Sequence, residues 1–139
     1  MANTRLIYLA GPIDALADGG KGWRAEVAAL FNAAGLNCFN PSGAFQVSKP
    51  WNGNEPWTPG ICHAIRTINR NALKQCDGCF VYLPDNARAF GTIREIEQAV
   101  QWMIPTVVVS PWLKEHIDAY DVEVYSGFDE AVECLVHAI

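Results

Sequence analysis

The chain has no long apolar run. Its first apolar stretch, residues 6–10, is shorter than the segment of about 7–15 residues in a secretory signal peptide. No later stretch approaches the roughly 20 apolar residues of a transmembrane helix. We therefore expect a cytoplasmic protein with reduced thiols and no membrane partner.

Positive charge is also scarce. Lys and Arg together number 10 against 15 Asp and Glu, which gives a formal net charge of −5, and the basic residues form no run. A protein that binds polymeric nucleic acid normally carries a basic patch, so we expect no nucleic-acid polymer as a partner. A small nucleotide is compatible with this composition, because two or three local donors can hold one phosphate.

The five cysteines lack the even number and spacing of a disulfide framework. Cys76 and Cys79 have CxxC spacing, but the pair closes a predicted helix instead of opening one, so no helix N-terminus lowers a thiol pKa. No second Cys pair or spaced His pair completes a zinc site. We predict structural cysteines and no metal.

Standard cofactor and nucleophile motifs are missing as well. The sequence contains no GxGxxG, no P-loop with its Gly-Lys-Ser/Thr and no GxSxG. We therefore expect no cofactor, and the chemistry is left to carboxylates.

The sequence does contain enough apolar residues to form a core, and predicted strands and helices alternate along it. Half of its 139 residues are apolar and 18% are charged, which predicts one globular domain spanning residues 1–139. Apolar runs and helical periodicities alternate, which is typical of a parallel sheet covered by helices on both faces. The fold class predicted is α/β, a flavodoxin-like (Rossmann-like) three-layer sandwich with about five parallel strands, whose site lies at the carboxyl ends of the first and third strands. The predicted strands are 5–10, 36–39, 79–83, 106–109 and 122–125, and the predicted helices are 23–34, 61–76, 92–103 and 128–138.

Glu95 is the first candidate for chemistry. It lies in the first turn of the predicted helix that follows the apolar strand 79–83, near the edge where open α/β sheets bind ligands. Thr92 and Glu95 also have the spacing of a capping box, in which the Glu only closes the helix start. The local pattern favours the cap, whereas the position near the strand ends favours a functional carboxylate.

Tyr8 is the second candidate. Within the apolar run 6–10 a tyrosine is most simply a core residue. A phenol in the first strand can also donate a hydrogen bond to a carboxylate near the adjoining strand, so Tyr8 and Glu95 are more informative together than separately.

Three segments carry a family resemblance. Residues 7–13 read IYLAGPI, residues 76–85 read CDGCFVYLPD and residues 91–99 read GTxxEIxxA. In this order and spacing they resemble the nucleoside 2-deoxyribosyltransferase family, whose superfamily also contains nucleoside 5′-monophosphate N-glycosidases. The resemblance extends over roughly residues 6–110.

The resemblance implies that Glu95 attacks C1′ of a nucleoside sugar and that Tyr8 positions it. The base then departs, and water or another base collects the sugar, as in a retaining glycosidase. The resemblance also implies a small-molecule nucleoside or nucleotide as partner, and a homodimer or higher homo-oligomer in which a neighbouring subunit completes the site.

Two positions depart from the family pattern. Asn69 stands where the family usually has an Asp, and Ala89 stands where a second acid is often found. Asn69 can hydrogen-bond but cannot act as a general acid. Asp85 is the first candidate to protonate the leaving base, and Asp14 is another.

Substrate contacts are expected from the first loop and the start of the third helix. Backbone amides in residues 11–13 or near Thr92 are placed to hold an anion. The ring of Trp23 is a candidate to stack on a base, although packing is the simpler role. The candidate substrate-binding residues are Gly11, Pro12, Ile13, Asp14, Trp23, Gly91 and Thr92.

Two other functional classes compete with the enzyme. One is a non-catalytic nucleotide-binding sensor module of the same fold, which Asn69 and Ala89 favour. The other is an interaction protein that uses the segment 41–60, rich in proline and tryptophan, to meet a partner.

Overall fold

A computed structural model describes residues 5–11, 20–41, 59–84, 90–110 and 122–139, with the backbone alone described at 59–63 and 90–91. The strands are β1 (Leu6–Ala10), β2 (Asn37–Phe39), β3 (Gly78–Tyr82), β4 (Thr106–Val109) and β5 (Glu123–Tyr125). The helices are α1 (Lys21–Ala33), α2 (Pro59–Gln75), α3 (Phe90–Gln101) and α4 (Phe128–Ala138). Among the described helices, none combines the length and the apolarity needed to cross a membrane.

The five strands form one parallel sheet in the order β2-β1-β3-β4-β5. This is the doubly wound, flavodoxin-like order predicted from the alternation of strands and helices. The chain moves outward from β1 to β2 and then crosses back to β3. The carboxyl ends of β1 and β3 are therefore neighbours at the point where the winding changes direction.

Alternate residues of β1 face different helices. Ile7 and Leu9 lie in a core cluster with residues of α1 and α4, whereas Tyr8 and Ala10 lie in a second cluster with residues of α2 and α3. Continuous apolar runs are what a strand needs when both of its faces are covered. Because the side-chain period is two, Tyr8 must face the α3 side.

α1, α2 and α3 each begin two residues before their predicted starts. The difference matters for the site at α3, which begins at Phe90, ahead of Thr92. Gly35 closes the end of α1: its φ is +83° and its amide donates to Asn32 O at 3.0 Å.

Asp77 orders the turn between α2 and β3. Its Oδ2 accepts a hydrogen bond from the Leu6 amide at 2.8 Å, and its own amide donates to Leu6 O at 2.8 Å. These bonds lie at the start of β1, so Asp77 secures the amino edge of the sheet, away from the edge where ligands are expected.

Gly11 ends β1 against an aromatic ring. A Cβ at this position would stand 2.6 Å from Cζ2 of Trp23 and 2.9 Å from the carbonyl oxygen of Tyr82. Neither the indole in the core nor the backbone of β3 can move away cheaply. Only glycine therefore fits where β1 leaves the sheet.

We expect Gly11→Ala to lower the free energy of unfolding by about 2 kcal/mol, because the added methyl overpacks the site. The matched change Gly127→Ala places its Cβ in open space and is expected to cost less than about 1 kcal/mol, even at a helix N-cap. Urea denaturation of the two variants measures the difference, and equal costs would contradict the packing account.

Candidate active site

Tyr8 and Glu95 meet between the sheet and α3. The Tyr8 hydroxyl donates a hydrogen bond to Oε2 of Glu95, across 87 positions of sequence. Tyr8 is fully buried and its ring stacks on Phe39, with centroids 5.5 Å apart. Glu95 is partly buried. The structure therefore brings together the two residues that the sequence singled out first.

The hydrogen bond between Tyr8 and Glu95 takes the place of the capping box that the sequence pattern indicated for Thr92 and Glu95. Because α3 begins at Phe90, Thr92 lies inside the helix and is not its N-cap. Thr92 is buried in the first turn, and the carboxylate of Glu95 accepts its hydrogen bond from Tyr8. The interpretation of Glu95 as a cap for Thr92 is wrong, and the cause is the earlier helix start.

Burial sets the protonation of the pair. Loss of water raises the pKa of Glu95, and the Tyr8 hydrogen bond and the positive charge of Arg24 offset part of that rise, which leaves a pKa of about 7. Burial and the neighbouring carboxyl raise the pKa of Tyr8 far above its ordinary value, so Tyr8 remains a neutral donor. Near neutral pH, Glu95 is therefore divided between its acid and its carboxylate forms.

Cys79 faces the same layer from β3. It is the register partner of Tyr8 and is fully buried. Burial, followed by the nearby Glu95 carboxyl, raises the pKa of Cys79 well above its ordinary value. A thiol held neutral is neither a nucleophile nor a metal ligand, so Cys79 acts here as a packing side chain.

Arg24 is the residue near the site that the sequence analysis missed. It is 1% exposed and donates to three backbone carbonyls: Leu9 O from Nε at 3.4 Å, Gly11 O at 2.8 Å and Gly20 O at 3.1 Å. Its guanidinium lies 4.5 Å from the ring centroid of Trp23. An arginine beside the buried positions of α1 was the available signal, because charged side chains are rarely buried without partners.

Asn69 lies on α2, the helix that packs against β1 and α3. Its Oδ1 is buried and has no hydrogen-bond partner within the part of the chain that the structure describes. A buried acceptor without a partner costs free energy, so this oxygen is a ready contact for a donor on a ligand. Gly91 and Thr92 lie in the first turn of α3.

Trp23 is not brought together with the Tyr8–Glu95 pair. It packs on the α1 and α4 side of the sheet, 5.2 Å from the ring of Tyr82 and 6.3 Å from that of Phe80 between centroids. The predicted site residues Pro12, Ile13, Asp14 and Asp85, and the departure at Ala89, lie outside the described residues.

No protein-family model matches this chain, and no curated protein matches it by sequence. Solved structures do match. A 2-deoxyribosyltransferase from Bacillus psychrosaccharolyticus has a TM-score of 0.70 at 18% identity, over 90% of this chain and 88% of its own. A 2-deoxyribosyltransferase from Leishmania mexicana has a TM-score of 0.69 at 19% identity, over 96% and 97%. A CMP N-glycosidase from Clostridium botulinum has a TM-score of 0.55 at 19% identity, over 97% and 100%.

These matches establish a shared fold over nearly the whole chain. The resemblance that the segments 7–13 and 76–99 indicated is thereby confirmed for the architecture, and the neighbours include both kinds of enzyme that the resemblance implied. Function still has to be argued from the site, since one fold hosts many chemistries.

The raised pKa of Glu95 makes stability depend on pH. A carboxyl that binds its proton more tightly when folded contributes stability that is complete below its unfolded pKa and is lost as pH rises through about 7. From pH 5 to pH 8, we expect the free energy of unfolding of the wild type to fall by about 2 kcal/mol relative to Glu95→Gln. Chemical denaturation at both pH values measures this.

The exposed neighbour Glu97 supplies the control. The Glu97→Gln variant should follow the wild type at both pH values. Wild type and Glu95→Gln losing stability in parallel would contradict the assigned pKa of Glu95.

Proposed function

We propose that this protein is an N-glycosyl enzyme that cleaves the bond between base and sugar in a nucleoside, a deoxynucleoside or the 5′-monophosphate of either. The observation that carries the proposal is the hydrogen bond from the buried Tyr8 hydroxyl to the Glu95 carboxylate. A carboxylate held by a neutral phenol in a largely dry layer has the character of a glycosidase nucleophile. The shared fold with deoxyribosyltransferases and a CMP N-glycosidase supports the same chemistry.

In the proposed reaction, ionised Glu95 attacks C1′ of the sugar. The bond from C1′ to the base nitrogen breaks, and the base leaves with the electron pair and accepts a proton. The sugar is then an ester of Glu95, and attack by another base or by water at C1′ releases the carboxylate again. Because Tyr8 holds Oε2, Oε1 is the proposed attacking oxygen.

A nucleophilic carboxylate must be both reactive and ionised, and a pKa of Glu95 near 7 suits both requirements. Poor solvation makes the carboxylate more reactive towards an electrophilic carbon, while the Tyr8 donor and the Arg24 charge keep a useful fraction of it ionised. Activity is therefore expected to rise with pH through the pKa of Glu95 on the acid side.

Because Asn69 cannot act as an acid, another residue must protonate the leaving base. Asp85 follows β3 closely in sequence and is the proposed general acid, with Asp14 in the first loop as the second candidate. The buried Oδ1 of Asn69 is instead proposed to accept a hydrogen bond from the substrate.

The acceptor of the sugar separates a transferase from a hydrolase. Deoxyribosyl transfer is favoured if a second base excludes water from the ester, and hydrolysis is favoured if water reaches it. A homodimer or higher homo-oligomer with a site completed by a neighbouring copy, and a cytoplasmic location, remain predictions.

The decisive experiment is chromatographic detection of free base released from ribo- and deoxyribonucleosides and their 5′-monophosphates, with and without an acceptor base. We expect Glu95→Gln to lower the rate by about a thousandfold or more, because the amide cannot form the ester. Glu97→Gln makes the same isosteric change on an exposed position of α3 and should leave the rate unchanged. Release that survives in Glu95→Gln would refute the nucleophile.

A nucleotide-sensing module is the second candidate function. The observation that favours it is Asn69, an amide without acid function whose Oδ1 has no partner in the described part of the chain. If the protein is such a sensor, nucleotide binding raises the melting temperature of the protein and no base is released.

Asn69→Asp tests how this amide limits catalysis. For an enzyme, we expect the added acid to increase base release about tenfold or more and to impose a new alkaline limit on the pH profile. Asn71→Asp adds the same charge to an exposed position of α2 and should change neither. A drop in base release with Asn69→Asp would contradict this expectation and would mean that the reaction needs the NH2 group of the amide.

A further inference from the structure

The carboxyl end of β1 extends past its neighbour β2. The Asn37 amide donates to Arg5 O at 3.1 Å, and on the other side the Asp77 amide donates to Leu6 O at 2.8 Å. Because successive carbonyls of a strand point to opposite sides, the carbonyls of Leu9 and Gly11 point to the side of β2.

β2 has no amide for them. It ends at Phe39, and the next residue in phase to donate is Pro41, which has no N–H. Two carbonyls at the end of β1 therefore need donors from outside the sheet, because a buried carbonyl without a partner is costly.

Arg24 supplies these donors from α1. Its Nε and one terminal nitrogen donate to Leu9 O at 3.4 Å and Gly11 O at 2.8 Å, which extends the ladder where β2 stops. Its other terminal nitrogen donates to Gly20 O at 3.1 Å, at the start of α1. One side chain thus holds Gly11 and Gly20, the two residues that flank segment 12–19.

We propose that Arg24 is a positioning residue of the reaction: it fixes the end of β1 behind Tyr8 and sets a buried positive charge within electrostatic reach of the Tyr8–Glu95 pair. The inference rests on the proposed role of Glu95 as nucleophile. The charge acts in the expected direction, because it lowers the pKa of both Glu95 and Tyr8 against the effect of burial.

Few other described groups can produce this effect. Tyr8 of β1 and Cys79 of β3 are the titratable side chains that act on Glu95 or feel its charge, and both are held neutral by burial. The charged side chains described on α2 and α3 are exposed and screened by solvent: Arg66, Arg70, Lys74, Arg94 and Glu97.

The test compares two substitutions of Arg24. Arg24→Met keeps much of the apolar stem but removes the charge and all three hydrogen bonds, whereas Arg24→Lys keeps the charge without the fork of donors. The titration midpoint of Glu95 is measured by 13C NMR of labelled Glu carboxyls, assigned with Glu95→Gln. The pH profile of kcat/KM is measured in parallel, and Arg70→Met removes an exposed arginine as the control.

We expect Arg24→Met to raise the midpoint of Glu95 by about half a unit or more, to move the acid limb of kcat/KM by the same amount and to lower kcat about tenfold. Arg24→Lys should keep the midpoint near that of the wild type and still lower kcat, because its single nitrogen cannot occupy the positions of the three guanidinium nitrogens that donate to the three carbonyls. Arg70→Met should change neither.

An unmoved midpoint and acid limb in Arg24→Met would overturn the inference and leave Arg24 a structural residue, even if kcat fell. If that variant does not fold, Arg24→Gln, which retains one amide donor, takes its place with the same expected shift. If base release requires Glu95 but is unchanged by substitution of Arg24, the inference about Arg24 is refuted and the proposed function is not. A wild type that releases no base refutes the proposed function, and the NMR midpoint still decides whether Arg24 acts on Glu95.

Discussion

The site depends on keeping one carboxyl group, that of Glu95, in a layer that is mostly closed to water. A buried carboxylate is tolerated only when donors or positive charge offset the solvation it has lost. Tyr8 supplies the donor from β1 and Arg24 supplies the charge from α1. The strand and the two helices that hold Tyr8, Arg24 and Glu95 must therefore keep a fixed geometry, and the packing around Gly11 and Trp23 serves that end.

Arg24 links the fold to the chemistry. The same guanidinium that completes the backbone hydrogen bonding beyond the short strand β2 also lowers the pKa of Glu95. Because Pro41 has no N–H, the carbonyls at the end of β1 need other hydrogen-bond donors. A charged side chain supplies them, although a neutral donor would also have satisfied the carbonyls. That choice of residue has a physical consequence for the carboxyl, because a buried charge acts over longer distances than a hydrogen bond.

The neighbours in fold are 2-deoxyribosyltransferases and a CMP N-glycosidase, and at 18–19% identity they show the shared fold alone. The residues of this chain are more informative than the shared architecture. Asn69, on α2, carries an amide that cannot act as a general acid, and its Oδ1 has no partner in the described part of the chain. The proposed enzyme therefore takes its acid from a loop residue, Asp85 or Asp14, whereas the alternative, a sensor, needs no acid.

The sequence by itself determined the order of strands and helices and the parallel sheet, because apolar runs and helical periodicity are local signals. It made Tyr8 and Glu95 candidates, and the family resemblance implied that they act together. The tertiary structure decided what those signals could not. A local capping pattern misassigned Glu95, since the start of α3 depends on packing and not on Thr92 alone. The burial of Arg24 and the raised pKa of Glu95 likewise depend on the fold. A short sequence segment does not reveal burial or the distance between residues that are remote in sequence.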